Sequence, residues 1–363
     1  MAGRVSASHT EEAMAIQIGL FNHKGGVSKT TTTFNLGWML AEKGYRVIVV
    51  DSDPQCNLTG IVLGYRGPTE LERFFTEERG RNLMSGLAPA FESQPRSIEA
   101  VQCVEVPGRD GLFLLPGHIR LSEYEVTLGI AQELSGSLQT LQNLPGSFSF
   151  LLKKTAELHN ADYVLVDMSP SLSSINQNLL MTSDYFIVPS APDFYSVMAV
   201  DSLANVLPKW CRWSTSAQNH PVLTRASYPF PKGVPKLIGV VIQNYRPRSG
   251  APAESFQKWI DKIDETISLN LAPRLDEAGM LLPRETYEAA GIPSSFRLAT
   301  IPDFNSLIAK SQEHQTPVFA LREDDLGGGF VARRSVESRD NFRRIFEEMA
   351  NRVVGVTQGA TGN

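Results

Sequence analysis

A short stretch near the beginning of the chain combines lysines, glycines and threonines in a spacing suited to phosphate chemistry. Residues 22–31, NHKGGVSKTT, follow the apolar run 16–21 and precede an amphipathic segment at 31–42. Glycines let backbone N–H groups turn inward around phosphate oxygens, and a helix N-terminus adds the positive end of its dipole. Lys29 would then reach the β- and γ-phosphates of a nucleotide, and the hydroxyl of Thr30 would bind Mg²⁺. The stretch predicts a strand, a phosphate loop and a helix.

The loop departs from the strict phosphate-loop pattern G-x-x-x-x-G-K-[ST], because Ser28 stands at the second glycine position and His23 at the first. A second lysine, Lys24, instead precedes the paired glycines. With this arrangement KGGVSKTT resembles KGGxGKTT, the deviant Walker A loop of the ParA/MinD family of ATPases. In that family the early lysine reaches across a nucleotide-sandwich dimer to the partner's phosphates, and the resemblance gives Lys24 this role.

The resemblance also indicates which residues of the loop hold the nucleotide. A non-glycine residue at Ser28 costs about 1 kcal/mol if its φ angle is positive, which bears on affinity and turnover more than on the fold. The alternative interpretation is a glycine-rich strand-to-helix turn that binds no ligand. The predicted phosphate-binding residues are Lys24, Gly25, Gly26, Val27, Ser28, Lys29, Thr30 and Thr31, of which Lys24 and Lys29 are also predicted to be catalytic.

A second, acidic motif follows one strand–helix unit later. The apolar run 45–50, YRVIVV, is typical of a strand buried in a parallel sheet, and it ends in Asp51-Ser52-Asp53. Acidic residues at the carboxyl end of such a strand lie on the ligand-binding edge of the sheet. VIVVDSDPQCNLT resembles the ParA-family motif hhhhDxDPQxNxT, apart from Cys56. The resemblance implies that Asp53 is catalytic, orienting the attacking water and approaching the Mg²⁺ shell. A carboxylate that caps a helix N-terminus is the alternative.

A third motif supplies another carboxylate. Residues 161–172, ADYVLVDMSPSL, place Asp167 at the end of a mainly apolar strand. An acidic side chain there can hold a water on Mg²⁺, which keeps several waters and few protein ligands. The segment resembles the family's DYhhhDxPPSL, with Ser169 in place of the first proline. The predicted metal residues are Thr30, Asp53 and Asp167.

Two further buried strands are predicted, at 184–189 and at 237–242. Residues 299–307 resemble the family's closing strand and the segment that follows it. The family carries an Asn or Thr near the adenine just after the second of the two predicted strands, so the resemblance makes Asn244 a base-side candidate. It likewise places Pro302 and Asp303 beside the base. Apolar strands that alternate with helices predict an α/β fold with a doubly wound, mostly parallel sheet flanked by helices. The resemblance implies a P-loop NTPase of the deviant Walker A type.

The chain is predicted to form a single P-loop ATPase domain at 16–354. A polar lead-in is expected at 1–15, where the apolar core of a signal peptide is lacking. A flexible tail is expected at 355–363. Insertions of unassigned purpose are predicted around 64–160 and 208–236.

The second insertion and the last helix leave alternatives open. Residues 208–236 mix aromatic and basic side chains, which can bind single strands or phosphates, although a surface loop anchored by its aromatic residues is the preferred interpretation. A helix predicted at 338–353 has one apolar face, with which it can pack on the core, lie on a membrane or face DNA. Its mixed charge and polar tail favour packing.

Composition bounds the function further. The net charge of −5 argues against a globally basic nucleic-acid-binding protein but allows a local basic patch. The three cysteines, Cys56, Cys103 and Cys211, show no metal-ligand spacing and suit a reducing compartment. No apolar run approaches the roughly 18–20 residues that cross a bilayer, so no membrane partner is expected. A cytoplasmic protein is predicted, associated with the nucleoid if it binds DNA.

The resemblance implies a ParA-type ATPase that dimerises on binding ATP and Mg²⁺, binds DNA non-specifically and positions plasmid, chromosome or other cargo. A ParB-like partner would stimulate its slow hydrolysis. The alternative is an ATP-switched module of a defence, conjugation or MinD-like positioning system without a DNA scaffold. A reductase resembling the nitrogenase iron protein is set aside, because no cysteine lies in the glycine-rich contexts of its iron–sulfur site. The candidate phosphate contacts for DNA are Arg333, Arg334, Arg339, Arg343, Arg344 and Arg352.

Overall fold

A computed structural model describes residues 14–65, 67–134, 141–248, 251–326 and 329–359. Its strands are β1 (Ile16–Leu20), β2 (Val47–Asp51), β3 (Val104–Glu105), β4 (Leu112–Leu115), β5 (Tyr163–Asp167), β6 (Tyr185–Ser190), β7 (Lys236–Tyr245), β8 (Pro247–Arg248), β9 (Ala251–Pro252) and β10 (Arg297–Pro302). Within the described residues, eight strands form one sheet in the order β10-β7-β6-β1-β5-β2-β4-β3. Every neighbouring pair in it is parallel except β3 and β4.

Helices cover both faces of this sheet. They are α1 (Lys29–Glu42), α2 (Asn57–Leu63), α3 (Pro68–Glu77), α4 (Leu83–Phe91), α5 (Glu123–Glu133), α6 (Leu144–His159), α7 (Ser174–Met181), α8 (Phe194–Asn219), α9 (Pro221–Thr224), α10 (Glu254–Thr266), α11 (Ala272–Glu277), α12 (Arg284–Ala289), α13 (Leu307–His314) and α14 (Gly329–Gly359). A π-helical turn, Ile267–Leu271, joins α10 to α11, and two short 3₁₀ helices, Val318–Ala320 and Glu323–Leu326, precede α14. The predicted doubly wound, mostly parallel α/β sheet is confirmed.

The strands are buried on both sides, which explains their nearly continuous apolar sequence. Along β2, Ile48 and Val50 face the core layer formed with α4 to α8, whereas Val47 and Val49 face the layer formed with α1 and α14. This alternation is the two-residue period of a strand. Because parallel strands end at one edge, the loops after β1, β2, β5, β6, β7 and β10 all meet there.

Residues 64–160, predicted as an insertion, contribute to the same sheet and core. β4 pairs with β2 and extends the parallel sheet, and β3 adds an antiparallel edge strand. The helices α4, α5 and α6 bury Leu87, Leu128 and Leu151 in the core layer shared with β2 and β5. The described part of this region therefore widens the sheet on the β2 side and adds helices to its core layer.

The predicted boundary of the second insertion is wrong, because α8 continues through Pro208 to Asn219. Trp210, Cys211, Ser214 and Ala217 continue its buried face, so packing outweighs the lost backbone hydrogen bond at the proline. Beyond α8, Tyr228 and Phe230 are buried, in agreement with a segment anchored by aromatic residues.

The predicted end of the last helix is also wrong. α14 runs from Gly329 to Gly359, whereas sequence periodicity predicted 338–353 and a flexible tail from residue 355. Val356 and Thr357 are fully buried, and the Thr357 hydroxyl hydrogen-bonds Tyr163 on β5 at 2.9 Å. The apolar face thus continues one turn beyond the predicted end. Residues 360–363 lie outside the described residues. As predicted, this helix packs on the core.

Among the described helices, none is long and apolar enough to cross a membrane.

Candidate functional site

The loop between β1 and α1 is held in place by Asn22, which is fully buried two residues after the end of the strand. Its side-chain amide donates to the carbonyl of Pro189 on β6 at 2.8 Å, and its oxygen accepts from the backbone N–H of Lys24 at 3.0 Å. The backbone then turns through positive φ angles at Gly26 (72°) and Ser28 (53°). Helix α1 begins at the next residue. The predicted strand, loop and helix are all present.

Lys29 lies at the centre of this loop and is only 7% exposed. Its ammonium donates to the backbone carbonyls of Asn22 at 2.9 Å and Lys24 at 3.1 Å. Burial lowers the pKa of Lys29 to about 8, while the charges of Asp167 and Asp53 oppose that shift. An ammonium held by loop carbonyls in a partly dehydrated site is suited to bind phosphate oxygens, since charged hydrogen bonds are stronger there.

Lys24 forms an ion pair with Asp193, with 2.7 Å between the Lys24 Nζ and Asp193 Oδ2 atoms. The other oxygen of Asp193 accepts from the backbone N–H of Ser196 and so caps the N-terminus of α8. The predicted signature lysine therefore contacts the segment after β6 within its own chain.

The two aspartates of the second motif have different surroundings. Asp51 is fully buried, and one of its oxygens accepts from the backbone N–H and the hydroxyl of Thr59, at 2.8 and 2.7 Å. Burial raises the pKa of Asp51 to about 6. Asp53 is 7% exposed, and one of its oxygens accepts from the backbone N–H of Gln55. Asp51 thus joins strand to helix, whereas Asp53 lies close enough to Lys29 to interact with its charge.

Asp167 ends β5 next to Asp51 on β2. It is 1% exposed, and neither carboxylate oxygen has a hydrogen-bond partner of ordinary geometry. Burial, followed by the charge of Asp51, raises the pKa of Asp167 well above its usual range, although Thr30 and Lys29 lie near enough to favour the ionised form. A buried carboxylate without a partner is costly unless a ligand completes its surroundings.

These residues fit a Mg²⁺ ion. The carboxylates of Asp167 and Asp53 and the hydroxyl of Thr30 supply the hard oxygen donors that Mg²⁺ prefers, and the Asp167 oxygens have no hydrogen-bond partner of ordinary geometry to compete with the ion. In the described part of the chain, no three His, Cys, Asp or Glu side chains cluster as a metal cage. A Mg²⁺ ion here would therefore depend on phosphate and water for its remaining ligands, as is usual for nucleotide sites.

Two residues at the end of β7 contact the loop from the side. The amide nitrogen of Gln243, 1% exposed, donates to the carbonyl of Val27 at 2.8 Å and to the hydroxyl of Thr32 at 2.7 Å. The amide nitrogen of Asn244 donates to the hydroxyl of Ser28 at 2.9 Å. Asn244, predicted beside the adenine, therefore contacts the phosphate loop itself.

Pro302 and Asp303 lie at the carboxyl end of β10, where Pro302 pairs with Tyr245 of β7. They line a cleft of about 490 Å³ between β10 and α14. One oxygen of Asp303 accepts from the backbone N–H of Asn305 at 2.8 Å. The structure brings both residues to the same sheet edge as the loop, and their contact with a base stays a prediction.

Three residues of this site were not predicted from the sequence. Asn22 and Gln243 hold the loop, and Asp51 anchors the second motif. The sequence signal that could have indicated them is a polar residue within a buried apolar strand or shortly after it, because a buried polar side chain requires a hydrogen-bond partner. Local sequence spacing does not identify that partner.

A parallel sheet with a lysine-bearing loop and two carboxylates at its carboxyl edge defines a P-loop nucleotide-binding protein. The chain matches the family described as "AAA domain" over residues 15–214, more than half its length. The chain belongs to this family of ParA/MinD-type ATPases.

Two relatives illustrate the match. An uncharacterised protein of Methanocaldococcus jannaschii is 31% identical over 76% of this chain and 87% of its own length. The chromosome partitioning protein ParA of Caulobacter vibrioides is 30% identical over 53% of this chain and 62% of its own. The chain thus matches less than two thirds of the length of that ParA.

Solved structures support the fold. A Corynebacterium diphtheriae protein has a TM-score of 0.62 at 17% identity, covering 95% of this chain and 99% of its own. The pNOB8 ParA bound to nonspecific DNA has a TM-score of 0.54 at 20% identity, with the same coverage of 95% and 99%. An ATP complex of a Cyanothece McdA variant has a TM-score of 0.54 at 14% identity and covers 94% of this chain and 97% of its own.

Proposed function

We propose that this protein is a ParA-type ATPase that binds ATP with Mg²⁺, dimerises around the nucleotide, hydrolyses it and binds DNA without sequence preference to position a cargo. The observation that carries the proposal is the convergence of Lys29, Asp53 and the buried Asp167, whose carboxylate has no hydrogen-bond partner of ordinary geometry, at one sheet edge, with Lys24 on the same loop. The family assignment and the DNA-bound pNOB8 ParA, which has the same fold, support it.

The chemistry proposed for the site is positioning and charge stabilisation, as in other phosphoryl transfers. Lys29 would exchange its loop carbonyls for phosphate oxygens, and Asp53 would orient a water molecule toward the terminal phosphate. Mg²⁺, held by Thr30 and by Asp53 and Asp167, would supply positive charge to the phosphates. Lys24 would leave Asp193 and reach the phosphates of a second copy.

An apolar surface beside the loop supports dimerisation. Phe194, Tyr195 and Met198, on the first turns of α8, are 53%, 70% and 55% exposed. They directly follow Asp193, the partner of Lys24. Adjacent exposed apolar side chains of this size are typical of interaction surfaces, and their position beside the nucleotide loop favours a second copy of the chain as the occupant.

A cationic groove between α8 and α11 is the surface that we propose for DNA. Lys209, Arg212 and Arg274 line this groove of about 550 Å³ together with one acidic residue, Glu277. Lys209 and Arg212 are exposed and form no ion pair within the described part of the chain. Such cations can neutralise phosphates in a protein whose net charge is −5.

Three of the six candidate arginines of α14 are less suited to this role than their sequence density indicated. Arg339 pairs with Asp340, Arg343 with Glu42, and Arg352 with Glu348. Charges already paired with carboxylates contribute less to phosphate binding. We therefore move the proposed DNA contacts from α14 to the α8–α11 groove.

The proposal is tested by measuring mass by light scattering and duplex DNA binding with ATP, ADP or no nucleotide, across a salt series. We expect an ATP-dependent dimer and ATP-dependent, salt-sensitive DNA binding, both lost in Lys24→Ala. A Lys209→Ala/Arg212→Ala variant should still dimerise but bind DNA with a salt slope lower by about two. The matched control is Lys154→Ala, which removes a surface lysine paired with Glu157.

Dimerisation without DNA binding in any state would instead support an ATP-switched module that acts on a protein partner. A ParB-like partner is proposed as the activator, and it is tested by adding candidate partners to the hydrolysis assay.

A further inference from the structure

Ser28 adopts a backbone conformation that is costly for its side chain. Its φ and ψ angles are 53° and 36°, in the left-handed region that glycine adopts without penalty. Ser28 also directly precedes α1, and its carbonyl accepts from the backbone N–H of Thr32, so this strained residue joins the loop to the helix. Something in the structure must hold the turn in this conformation.

The contacts that hold it come from β7, more than two hundred residues later in the chain. Asn244 donates to the Ser28 hydroxyl at 2.9 Å, while Gln243 donates to the Val27 carbonyl and the Thr32 hydroxyl on either side of it. Asn244 itself has a φ angle of 67°, a conformation that asparagine tolerates better than most residues. The adjacent residues Gln243 and Asn244 therefore hydrogen-bond to the loop at two positions and to the first turn of α1 at a third.

We infer that Gln243 and Asn244 are positioning residues for the nucleotide site, and that the Asn244–Ser28 hydrogen bond offsets the strain of a serine at a glycine-type position. This pair, which we name the β7 clamp, fixes the loop before nucleotide arrives and makes phosphate binding depend on the end of β7. The inference rests on the proposed nucleotide-binding function.

The clamp explains how the loop keeps its conformation without glycine at position 28. A serine hydroxyl is required at one end of the hydrogen bond and an amide at the other, so the effect of replacing Asn244 should depend on whether residue 28 is serine. Glycine at position 28 relieves the strain and removes the need for Asn244. This mutual dependence separates a clamp from a residue that binds the nucleotide base directly, whose effect would not depend on Ser28.

The test is a double-mutant cycle of Ser28→Gly and Asn244→Ala, with the affinity for a fluorescent ATP analogue and the melting temperature measured for each protein. Asn244→Ala should weaken binding about threefold to tenfold in the Ser28 protein but less than about twofold in the Ser28→Gly protein. A Gln243→Met variant, similar in size but without an amide, should weaken binding by a similar factor and increase amide hydrogen exchange in the loop.

The matched control is Asn82→Ala, which removes a buried asparagine that caps α4 through the backbone N–H of Ser85, remote from the loop in sequence. It should lower the melting temperature and leave the affinity unchanged. Equal losses from Asn244→Ala in both backgrounds would overturn the inference. A wild-type protein that fails to bind any nucleotide would overturn the proposed function itself, a result distinct from the loss of coupling.

Discussion

Two regions of this molecule bury polar side chains in opposite ways. In the region 98–103, each of three backbone N–H groups donates to a side-chain acceptor: Ile98 to Tyr228, Val101 to Thr155, and Cys103 to His159. At the carboxyl edge of the parallel sheet, by contrast, Asp167 is buried next to Asp51, and its carboxylate lacks a hydrogen-bond partner of ordinary geometry among the described residues.

The difference distinguishes buried polar groups that stabilise the fold from buried polar groups that are available to a ligand. Paired groups stabilise the fold whether or not a ligand is present, because their hydrogen bonds replace those lost to water. Unpaired, like-charged groups destabilise the free protein and become favourable when a ligand supplies the missing charge. The contrast leads to four predictions, taken from the largest expected effect to the smallest.

Lys29→Ala should abolish nucleotide binding, with an affinity at least about a hundredfold weaker, because Lys29 is the buried loop cation whose charge interacts with both Asp53 and Asp167. The measurement is a titration with a fluorescent ATP analogue. Lys154→Ala, at a surface ion pair with Glu157, is the control and should bind as the wild type does. Undiminished binding by Lys29→Ala would mean that the loop is not the phosphate site.

Asp167→Asn should stabilise the nucleotide-free protein by about 1–3 kcal/mol, since it removes a buried charge that has no partner of ordinary geometry. The same variant should lose the additional stability that Mg²⁺ and ATP confer on the wild type. Urea unfolding with and without nucleotide measures both effects.

The control lies just before the other end of β5. The carboxylate of Asp162 accepts from the backbone N–H of Arg46 at 2.7 Å, so Asp162→Ala, which removes this acceptor, should destabilise the protein. A loss of stability of similar size in both variants would contradict the distinction between the two regions.

The His159 network should give a pH dependence that is independent of nucleotide. Burial lowers the pKa of His159, and its Nε2 atom can accept from the Cys103 N–H only in the neutral ring. The stabilising contribution is therefore fully present above pH 6.5, the unfolded value, and is lost as the pH falls through the lower, folded value. Protonation should cost about 1–3 kcal/mol relative to a His159→Gln variant. Parallel stability curves for the two proteins from about pH 7.5 to about pH 5 would argue against this role.

The sequence was informative where function depends on contiguous residues. Lys29, Asp53 and Asp167 lie at or after the carboxyl ends of buried apolar strands, and parallel strands must bring those ends together, so the convergence of these three residues was predictable from three local motifs. Gln243 was not predictable, because its partners Val27 and Thr32 lie more than two hundred residues away. Helix boundaries depend on the same long-range packing.

Pro208 and Val356 show this dependence on packing. Local propensity ends α8 at the proline and begins a tail after residue 354, but the buried faces of α8 and α14 continue beyond both points. Propensity is a weak guide wherever such a face remains in contact with the core.

Asp193→Asn should have the smallest effect on stability. This variant tests whether the ion pair of Asp193 restrains Lys24 in the free protein or is only a structural contact. Asparagine retains the cap on the Ser196 N–H, so only the ion pair with Lys24 is lost. Because this pair is partly exposed, its loss should change stability by less than about 1 kcal/mol. Lys24 would then be free for a second copy, and ATP-dependent dimers should form at an ATP concentration about twofold to fivefold lower.

Light scattering during an ATP titration measures the shift, and Glu157→Gln, which breaks only a surface pair, is the control. An unchanged midpoint would show that Asp193 does not restrain Lys24, and the ion pair would then belong with the structural contacts of the 98–103 region.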